Sequence, residues 1–425
     1  MKNRVKEQSL IFYSVLKWVV LSVIVGCLVG ISTAIFLKAL NWSTVVVSSY
    51  RYYYFLLPLA LFCSALIIKV LAPDAEGHGT EKVIEAIHKE NSIIKAAVVP
   101  VKLVATIITI ALGGSAGKEG PCAQIGAGIA STFARLFHFD AHDRKKLVIC
   151  GISAGFASVF GTPIAGAFFG VEVLVVGSIL YDVMLPSFIA GIISYNVSYA
   201  LGIRYSQYAL IAPPDFSVGL FSQIILAGIF FGLCSFFLIE LLNIGKKVSG
   251  KINVWKPLKG LLGGAILVGL ALFVSTDYLG LGLNTIESSL KGQIMHWYTF
   301  ILKSLATSIT LNFGGSGGIV TPVFFIGSSA GNIFAQILHL DIILFSALGL
   351  VGLLAGAANT PIAASIMAIE LFGPQIAPYA ALVCVISFLM TGHRSVYPSQ
   401  ILAFKKSKLI AIELGKEIEK SKPVL

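Results

Sequence analysis

Apolar residues run along most of the chain, and the runs are interrupted by glycine and proline more often than by charge. A helix needs about 20 apolar residues to cross the hydrocarbon core of a bilayer. Residues 18–36 and 218–239 carry no formal charge and reach that length, whereas several other runs are shorter. The pattern predicts helices at 13–40, 53–72, 97–112, 121–137, 146–160, 163–181, 184–203, 217–244, 258–275, 297–312, 322–338, 341–356, 361–372 and 376–391. Such unequal lengths indicate that some helices cross the bilayer and others end inside it.

The composition places the chain in the membrane. Of its 425 residues, 56% are hydrophobic and only 12% are charged, and the mean hydropathy is +0.89. A soluble protein carries about 25% charged residues. The first apolar run is too long for a signal peptide, and further runs follow it. We therefore expect an all-α polytopic membrane protein that forms a single membrane domain over residues 1–425, with a basic cytoplasmic N-terminus at residues 1–12.

The cysteines suggest packing rather than chemistry. All of them lie in or beside apolar runs, and none has the spacing of a metal site or of a disulfide framework. The six are Cys27, Cys63, Cys122, Cys150, Cys234 and Cys384. We expect neither a metal nor a cofactor.

The glycine and proline interruptions recur in the same order in two parts of the chain. The segments 77–80, 113–117 and 162–165 have counterparts at 280–283, 314–318 and 360–363. Chance similarity between glycine-rich helices is the alternative, but both order and spacing agree. We predict two repeats of broken and tilted helices at 13–210 and 211–392, followed at 393–425 by a C-terminal inner-vestibule helix and a short cytoplasmic tail. Helices that stop inside a bilayer are tolerated where they face protein or water, which suggests a transport pathway at the repeat interface.

The distribution of charge predicts the orientation. The chain carries a formal charge of +11, and its lysines crowd the N-terminus, residues 246–259 and residues 405–408. The positive-inside rule makes these segments cytoplasmic; the alternative is that surplus charge draws anions towards a vestibule. The second repeat then starts outside, around residues 213–214, and the two halves are inverted. No basic stripe lies on a soluble domain, so nucleic acid is not an expected partner, whereas membrane lipid is.

The breaks suggest the kind of ion. The N-terminus of a helix offers free N–H groups and about half a unit of positive charge, which suits an anion. Glycine-rich turns at 113–120 and 314–318 open helices, and few carboxylates lie in the apolar runs, which disfavours a cation site. Glu119 is the exception, and an embedded carboxylate is functional by default. We expect it to compete with an anion and to leave the site when protonated; the alternative is a helix-start residue satisfied by local N–H groups.

Two other classes of protein fit the sequence poorly. Residues 113–118 superficially resemble a phosphate-binding loop, but the spacing is one residue short and Glu119 stands where Ser or Thr is required. We therefore expect no enzyme activity. An inverted-repeat carrier of a cation or an organic solute would need carboxylates or a roomy aromatic pocket at the breaks, and glycine-rich helix starts fit that poorly.

Three motifs, in order, resemble the CLC family of chloride channels and transporters, of the prokaryotic type without C-terminal CBS domains. Residues 117–121 read Gly-Lys-Glu-Gly-Pro, like the family's G-[KR]-E-G-P. Residues 318–322 are similar to its G-x-F-x-P segment, with Val320 where Phe is usual. Residues 160–166, followed by Glu172, resemble the stretch after the gating helix. The resemblance implies an inverted-repeat fold, chloride as the bound substrate, and a multi-pass homodimer in the cell membrane with one pore per subunit.

The resemblance also implies roles for individual residues. Glu119 would be the gating glutamate, and Tyr397, which matches the family's ion-coordinating tyrosine, would donate its hydroxyl from the cytoplasmic side. The alternative for Tyr397 is an aromatic residue at the membrane interface. Lys118 is expected to act on the fold and the electrostatics rather than as a ligand. The implied anion-binding set is His78, Gly79, Lys118, Gly120, Ile319, Val320 and Tyr397.

Two departures from the family pattern affect the mechanism. His78 replaces a serine that usually touches the anion; it either donates N–H or points into the vestibule while the backbone binds. Val173 replaces the second glutamate of the family's exchangers, and it cannot relay a proton. Either protons reach Glu119 through water or another group, with Glu172 a candidate, or the protein is a passive chloride channel. Glu370 repeats Glu172, so a structural capping role is the alternative for both.

Overall fold

The computed structural model describes residues 2–205, 208 and 217–421, and it is built almost entirely of helices. Among these residues, six helices are long and apolar enough to cross a membrane, beginning with Asn3–Ser48 and ending with Val320–Leu338. The prediction of an all-α polytopic membrane protein is confirmed.

The described helices fall into two sets of eight with matching order. Those of the first half are α1 (Lys2–Ser48), α2 (Leu57–Leu71), α3 (Thr80–Lys89), α4 (Val98–Ala111), α5 (Glu119–Leu136), α6 (Ala141–Phe160), α7 (Pro163–Glu172) and α8 (Tyr181–Ala200). Those of the second half are α9 (Val218–Lys251), α10 (Lys256–Phe273), α11 (Leu283–Leu290), α12 (Thr299–Asn312), α13 (Val320–Leu338), α14 (Ile342–Ala358), α15 (Pro361–Phe372) and α16 (Ala377–Met390). Helix α2 packs against its equivalent α10, and α7 against α15, as a two-fold relation between the halves requires.

Polar contacts show that the halves are inverted. They link the N-terminal third of α1, through the start of α6 and the segments after and before α3, to the beginning of α10, which follows the end of α9. The N-terminal end of α1 and the C-terminal end of its equivalent α9 therefore lie on the same face. The contacts are Lys17–Asp143, Arg144–Asn91, Lys95–Asp74 and Lys256–Glu76.

Glycines allow the central helices to pack at backbone distance. A Cβ atom on Gly126 of α5 would lie 2.3 Å from the carbonyl oxygen of Gly151 in α6. In the second half, a Cβ on Gly327 of α13 would lie 2.3 Å from the oxygen of Gly349 in α14. Small residues let membrane helices approach closely and gain dispersion contacts. The same device in both halves holds α5 and α13, whose N-termini build the site.

Several predicted elements differ from the structure. Helix α1 begins at Lys2, so the basic N-terminal segment is helical. The short helices α3 and α11 were not predicted, because they are amphipathic and lie outside the apolar runs. The predicted start of the second repeat, around residues 213–214, lies outside the described residues.

The expected C-terminal inner-vestibule helix is not formed. Residues 393–421 run in turns and extended backbone, and strand β2 (Ile401–Leu402) pairs in parallel with β1 (Val175–Val176). Pro398 lacks an N–H group, and the Val396 amide donates to the carbonyl of Ala357 at 2.9 Å rather than to a helical partner. The segment is held by the membrane helices in place of its own helical bonds.

Candidate ion-transport site

The two halves meet at the centre through the loops that precede α5 and α13. The amide of Gly117 donates to the Gly318 carbonyl at 2.7 Å, and the amide of Gly318 donates back to the Gly117 carbonyl at 2.6 Å. Gly117 precedes the start of α5 by two residues, and Gly318 stands two residues before α13. This reciprocal bridge fixes both helix N-termini at one point inside the molecule.

Threonine hydroxyls support each loop from the opposite half. Thr310 accepts the amide of Ser115 at 3.0 Å, and Thr109 accepts the amide of Ser316 at 3.0 Å. All four residues are buried. The Ser115 and Ser316 amides of the glycine-rich turns are therefore satisfied by protein groups, as breaks inside a bilayer require.

Three helix N-termini converge here. A Cβ on Gly79, the N-cap of α3, would lie 2.3 Å from the carbonyl oxygen of Gly120 in α5. A Cβ on Gly318 would lie 2.6 Å from the amide nitrogen of Gly120. The absence of side chains brings α3, α5 and α13 together at backbone distance. Three positive helix ends in one place favour a negative charge between them.

Glu119 lies at this point and is only 1% exposed. It is the first residue of α5, and its carboxylate reaches across to the start of α13. There it accepts the backbone N–H of Thr321 at 3.0 Å and the Thr321 hydroxyl. The carboxylate thus occupies an N-terminal position that would otherwise be open to another anion.

The other predicted members of the second-half site surround this contact. Ile319 is the N-cap of α13 and Val320 its first residue, and both are buried. In the described part of the chain, neither backbone N–H donates to a protein group outside the helix. Lys118, the N-cap of α5, is partly exposed and forms no side-chain hydrogen bond or ion pair with any described residue.

Tyr397 is completely buried, and its hydroxyl has no hydrogen-bond partner among the described residues. The Thr80 side chain and the carboxylates of Glu119 and Glu81 lie within interaction range of that hydroxyl. The structure therefore brings Tyr397, from the end of the chain, to the first-half residues of the predicted site. Its complete burial does not fit the alternative of an interfacial aromatic residue.

His78 precedes the N-cap of α3, and its side chain is partly buried. The ring approaches the backbone of Val396, next to Tyr397, while Nδ1 is buried and unpaired among the described residues. The Thr80 hydroxyl is likewise buried and unpaired. Unpaired buried polar atoms are rare in proteins, and each one calls for a partner that the protein itself does not supply.

Glu172 is not part of this cluster, and Glu370 is its equivalent in the second half. The two oxygens of Glu172 accept the amides of Ile362 and Ala363, at 3.1 and 2.8 Å, at the start of α15. Glu370 accepts the amides of Ile164 and Ala165, at 2.9 and 2.8 Å, at the start of α7 in the same way. Each glutamate therefore caps a helix of the opposite half, the arrangement expected for the structural alternative. Val173, which follows Glu172, is fully buried.

Two buried lysines were not identified from the sequence. Lys102 donates to the carbonyls of Ala75 and Gly77, at 3.1 and 2.7 Å, in the turn before α3. Lys303 donates to the carbonyls of Tyr278 and Gly280, at 3.2 and 2.9 Å, in the turn before α11. Both ammonium groups lie in helices that cross apolar surroundings, and they recur at equivalent positions of the repeat. The recurrence of a lysine at equivalent positions of the two repeats was the signal in the sequence that could have identified them.

The chain has clear relatives. The family described as "Voltage gated chloride channel" matches residues 60–392. A protein of Pseudomonas syringae pv. tomato named "Chloride/fluoride channel protein" is 34% identical over 413 residues, which cover 95% of this chain and 91% of that protein. An uncharacterized protein of Methanocaldococcus jannaschii is 24% identical, with 91% of this chain and 96% of that protein covered.

Solved structures show the same fold. The crystal structure of a CLC-type fluoride/proton antiporter matches with a TM-score of 0.87 and 29% identity, covering 92% of this chain and 99% of that chain. A slow cyanobacterial Cl−/H+ antiporter matches with a TM-score of 0.76 and 21% identity, covering 88% and 94% respectively. The second likeness shows the fold alone.

Proposed function

The chain belongs to the CLC family of chloride channels and transporters, and on that premise we propose that it exchanges a small halide for protons, with Glu119 as the gate. Members of the family are channels or transporters, so the chain is an anion-transporting membrane protein and not an enzyme. The proposal concerns the coupling to protons, the identity of the halide and the residues involved.

One observation carries the gate assignment. The Glu119 carboxylate is bound by the Thr321 amide and hydroxyl at the start of α13. A carboxylate and a halide compete for the same N–H groups, because both are small anions drawn to a helix N-terminus. Protonation removes the charge of Glu119, so the neutral acid gives up this position and a halide takes it. Binding of halide and binding of a proton are thereby linked.

The backbone donors suit a transported ion. Backbone amides at the convergent helix starts come from Gly120, Ile319 and Val320. Side-chain donors on the cytoplasmic side of the proposed site come from Tyr397 and His78. Distributed dipoles bind an ion firmly enough to admit it and weakly enough to release it. Lys118, beside them, raises the local potential and does not need to touch the ion.

We propose fluoride as the first candidate for the halide, and chloride, which the sequence favoured, as the second. The relatives support this choice: one at 34% identity is named a chloride/fluoride channel protein, and one at 29% is a fluoride/proton antiporter. The departures at His78 and Val320 from the usual chloride pattern lie in the same site.

Exchange is proposed ahead of a passive channel. The buried acid in the anion position supports exchange, as does the antiporter among the solved relatives. The replacement of the inner glutamate by Val173 is the observation that favours a channel. We further propose a homodimer in the cell membrane with both termini cytoplasmic, which agrees with the basic segments at one face.

Flux measurements on purified protein in liposomes test this proposal. Halide efflux is followed with an ion-selective electrode, and internal pH with a trapped dye, for fluoride and chloride in turn. Uphill proton movement driven by a halide gradient is the expected result. Rapid halide flux without proton movement would establish the channel instead, and a larger chloride than fluoride flux would reverse the order of substrates.

A further inference from the structure

We propose that Glu81 is the cytoplasmic-side proton acceptor of this transporter and passes protons towards Glu119 by way of the hydroxyls of Thr80 and Tyr397. This inference rests on the proposed function, because it supplies the proton step that halide–proton exchange needs. Glu81 is the second residue of α3, and the sequence pattern assigns it no role.

The more obvious candidates are occupied or inert. Val173 has no ionisable group. Both carboxylate oxygens of Glu172 accept backbone amides at the start of α15, so this carboxylate serves as a helix cap. Another acid is therefore the better candidate for a proton that enters from the cytoplasmic side and travels towards Glu119.

Glu81 has the geometry of such an acid. The residue is partly exposed, so the carboxyl group can exchange protons with water. Its Oε1 accepts the Ser399 amide at 3.1 Å and the Ser399 hydroxyl at 2.6 Å. Its Oε2 is buried and has no hydrogen-bond partner among the described residues. One oxygen thus fixes the carboxylate, and the other is free to hold a proton inside the protein.

The atoms that lead inward are also unpaired. The Thr80 and Tyr397 hydroxyls are both buried without a partner in the described part of the chain. Thr80 is the neighbour of Glu81 at the start of α3, and Tyr397 stands two residues before Ser399, whose amide and hydroxyl bind Glu81. A hydroxyl can accept a proton on one side and donate its own on the other, so this pair suits a relay. The proposed relay therefore runs from the partly exposed Glu81 through these two buried hydroxyls to the buried Glu119.

The backbone shortens the distance between the two acids. Gly79 stands two residues before Glu81 in α3, and Gly120 follows Glu119 in α5. These glycines touch, since a Cβ on Gly120 would lie 2.0 Å from the carbonyl oxygen of His78. The starts of the helices that carry the two carboxylates are therefore in direct contact.

The charges around Glu81 are mixed. On its own helix, Glu85 lies one turn further and Lys82 is adjacent; Lys82 pairs with Glu85 at 2.8 Å. From the C-terminal segment, Glu419 and Tyr397 face the carboxyl group. Burial is the main cause that raises the pKa of Glu81, the bonds from Ser399 oppose it, and the neighbouring acids Glu85 and Glu419 add only a smaller effect in the same direction as burial.

The transfer balances as a proton relay. Water on the cytoplasmic side protonates the partly exposed Glu81 carboxyl group, and a half-turn of this group exchanges its two oxygens and brings the new O–H bond to the buried Oε2 position. That bond breaks as a hydroxyl accepts the proton and releases its own towards Glu119, where a new O–H bond forms. The hydroxyls return unchanged, and no electrons are transferred. Protonated Glu119 then leaves α13 and admits a halide.

The experiment compares Glu81→Gln with wild type in the proteoliposome assay. The amide oxygen of glutamine keeps the Ser399 contacts but cannot be protonated at neutral pH, so the fold is retained. We expect the number of protons moved per halide to fall about tenfold or more, since a positioned acid or base contributes at least that much to proton transfer. Halide flux persists. Glu81→Asp restores part of the coupling.

Glu85→Gln is the matched control, because it removes an acid one turn along the same helix and should leave the coupling ratio unchanged. If wild type couples and Glu81→Gln couples equally, Glu81 is not the acceptor and the proposed function stands. If wild type itself moves no protons, halide–proton exchange fails, and the role of Glu81 fails with it. Equal loss of coupling in both variants would assign the effect to surface charge and would overturn the proposal.

Discussion

The two halves of the chain contribute the same backbone arrangement to the central site but different side chains. Gly117 and Gly318 bond each other reciprocally, and each lies two residues before its helix. At the first position of the helix, however, one half has Glu119 and the other has Val320. A duplicated scaffold therefore carries a titratable group on one side only.

The short helices α3 and α11 repeat this contrast. The first begins with Thr80 and Glu81, and the corresponding positions of the second are Leu283 and Asn284. By contrast, the buried lysines, the loop-supporting threonines and the capping glutamates occur in both halves with the same contacts. Internal symmetry thus separates two groups of polar residues: those present twice hold the fold, and those present once are candidates for transport.

The largest expected effect comes from removing the asymmetric acid. Glu119→Gln should abolish proton coupling and the pH dependence of halide flux, because a neutral side chain cannot alternate between charged and protonated forms. Halide flux itself should persist. Parallel recordings of halide and pH in liposomes check this, and an unchanged pH response in the variant would remove Glu119 from the role of gate.

The symmetric lysines should respond alike. Lys102→Met and Lys303→Met each leave two buried carbonyls without their charged donor, and we expect a loss of about 2–4 kcal/mol of stability in each. Thermal denaturation in detergent, followed by size-exclusion chromatography, measures this. The exposed Lys95→Ala serves as the control and should change little.

If only Lys102→Met were destabilising, the equivalence of the two halves would be broken at this position.

The capping glutamates test the comparison most directly. Glu172→Gln and Glu370→Gln should each cost about 1–3 kcal/mol, since a charge-assisted cap is replaced by a neutral one. The proton-to-halide ratio should stay at the wild-type value in both. Loss of proton coupling in Glu172→Gln alone would place Glu172 on the proton path. It would contradict the conclusion that polar residues present in both halves serve the fold.

The smallest effect is expected at the basic face. Glu85 pairs with Lys82 at 2.8 Å and with Lys89 at 3.4 Å, and the Lys82 ammonium holds the pKa of Glu85 below its ordinary value. A carboxyl group whose pKa is lower in the folded protein than in the unfolded chain stabilises the fold at pH values above the unfolded pKa. This contribution is lost as the pH falls through the folded pKa. Lys82→Ala should cost about 0.3–0.5 kcal/mol at neutral pH, with no difference from wild type at strongly acidic pH. Melting temperatures across pH check this.

The repeat architecture could be predicted because glycine and proline mark each break, and their order can be read directly from the sequence. The same marks did not show that Gly79, Gly120 and Gly318 converge, and only the family resemblance placed Gly79 and Gly120 in one site. Contacts between distant segments could not be predicted, as in the bond from Glu81 to Ser399, because no local pattern encodes which turns meet. The reciprocal capping by Glu172 and Glu370 was foreseen only as an alternative, since equal spacing shows equivalence but not the partner.

The C-terminal segment was predicted wrongly for a physical reason. A helix followed by a short cytoplasmic tail was expected at 393–425, but the carbonyls left free after α7 and α14 attract the polar groups of this segment. Gln400 donates to the carbonyls of Val173 and Ala358, at 2.7 and 2.9 Å, and β2 then pairs with β1. Tertiary hydrogen bonds override local propensity where a membrane helix ends without a cap.

The parallel pairing of β1 with β2 has a consequence for biogenesis. Residues 175–176 leave the ribosome long before residues 401–402, and Tyr397 stands just ahead of the later strand. Contacts so remote in sequence close late in folding. The inner end of the proposed pathway is therefore assembled after both halves have been made, so a nascent chain lacks the complete proposed anion route until residues 397–402 have been synthesised.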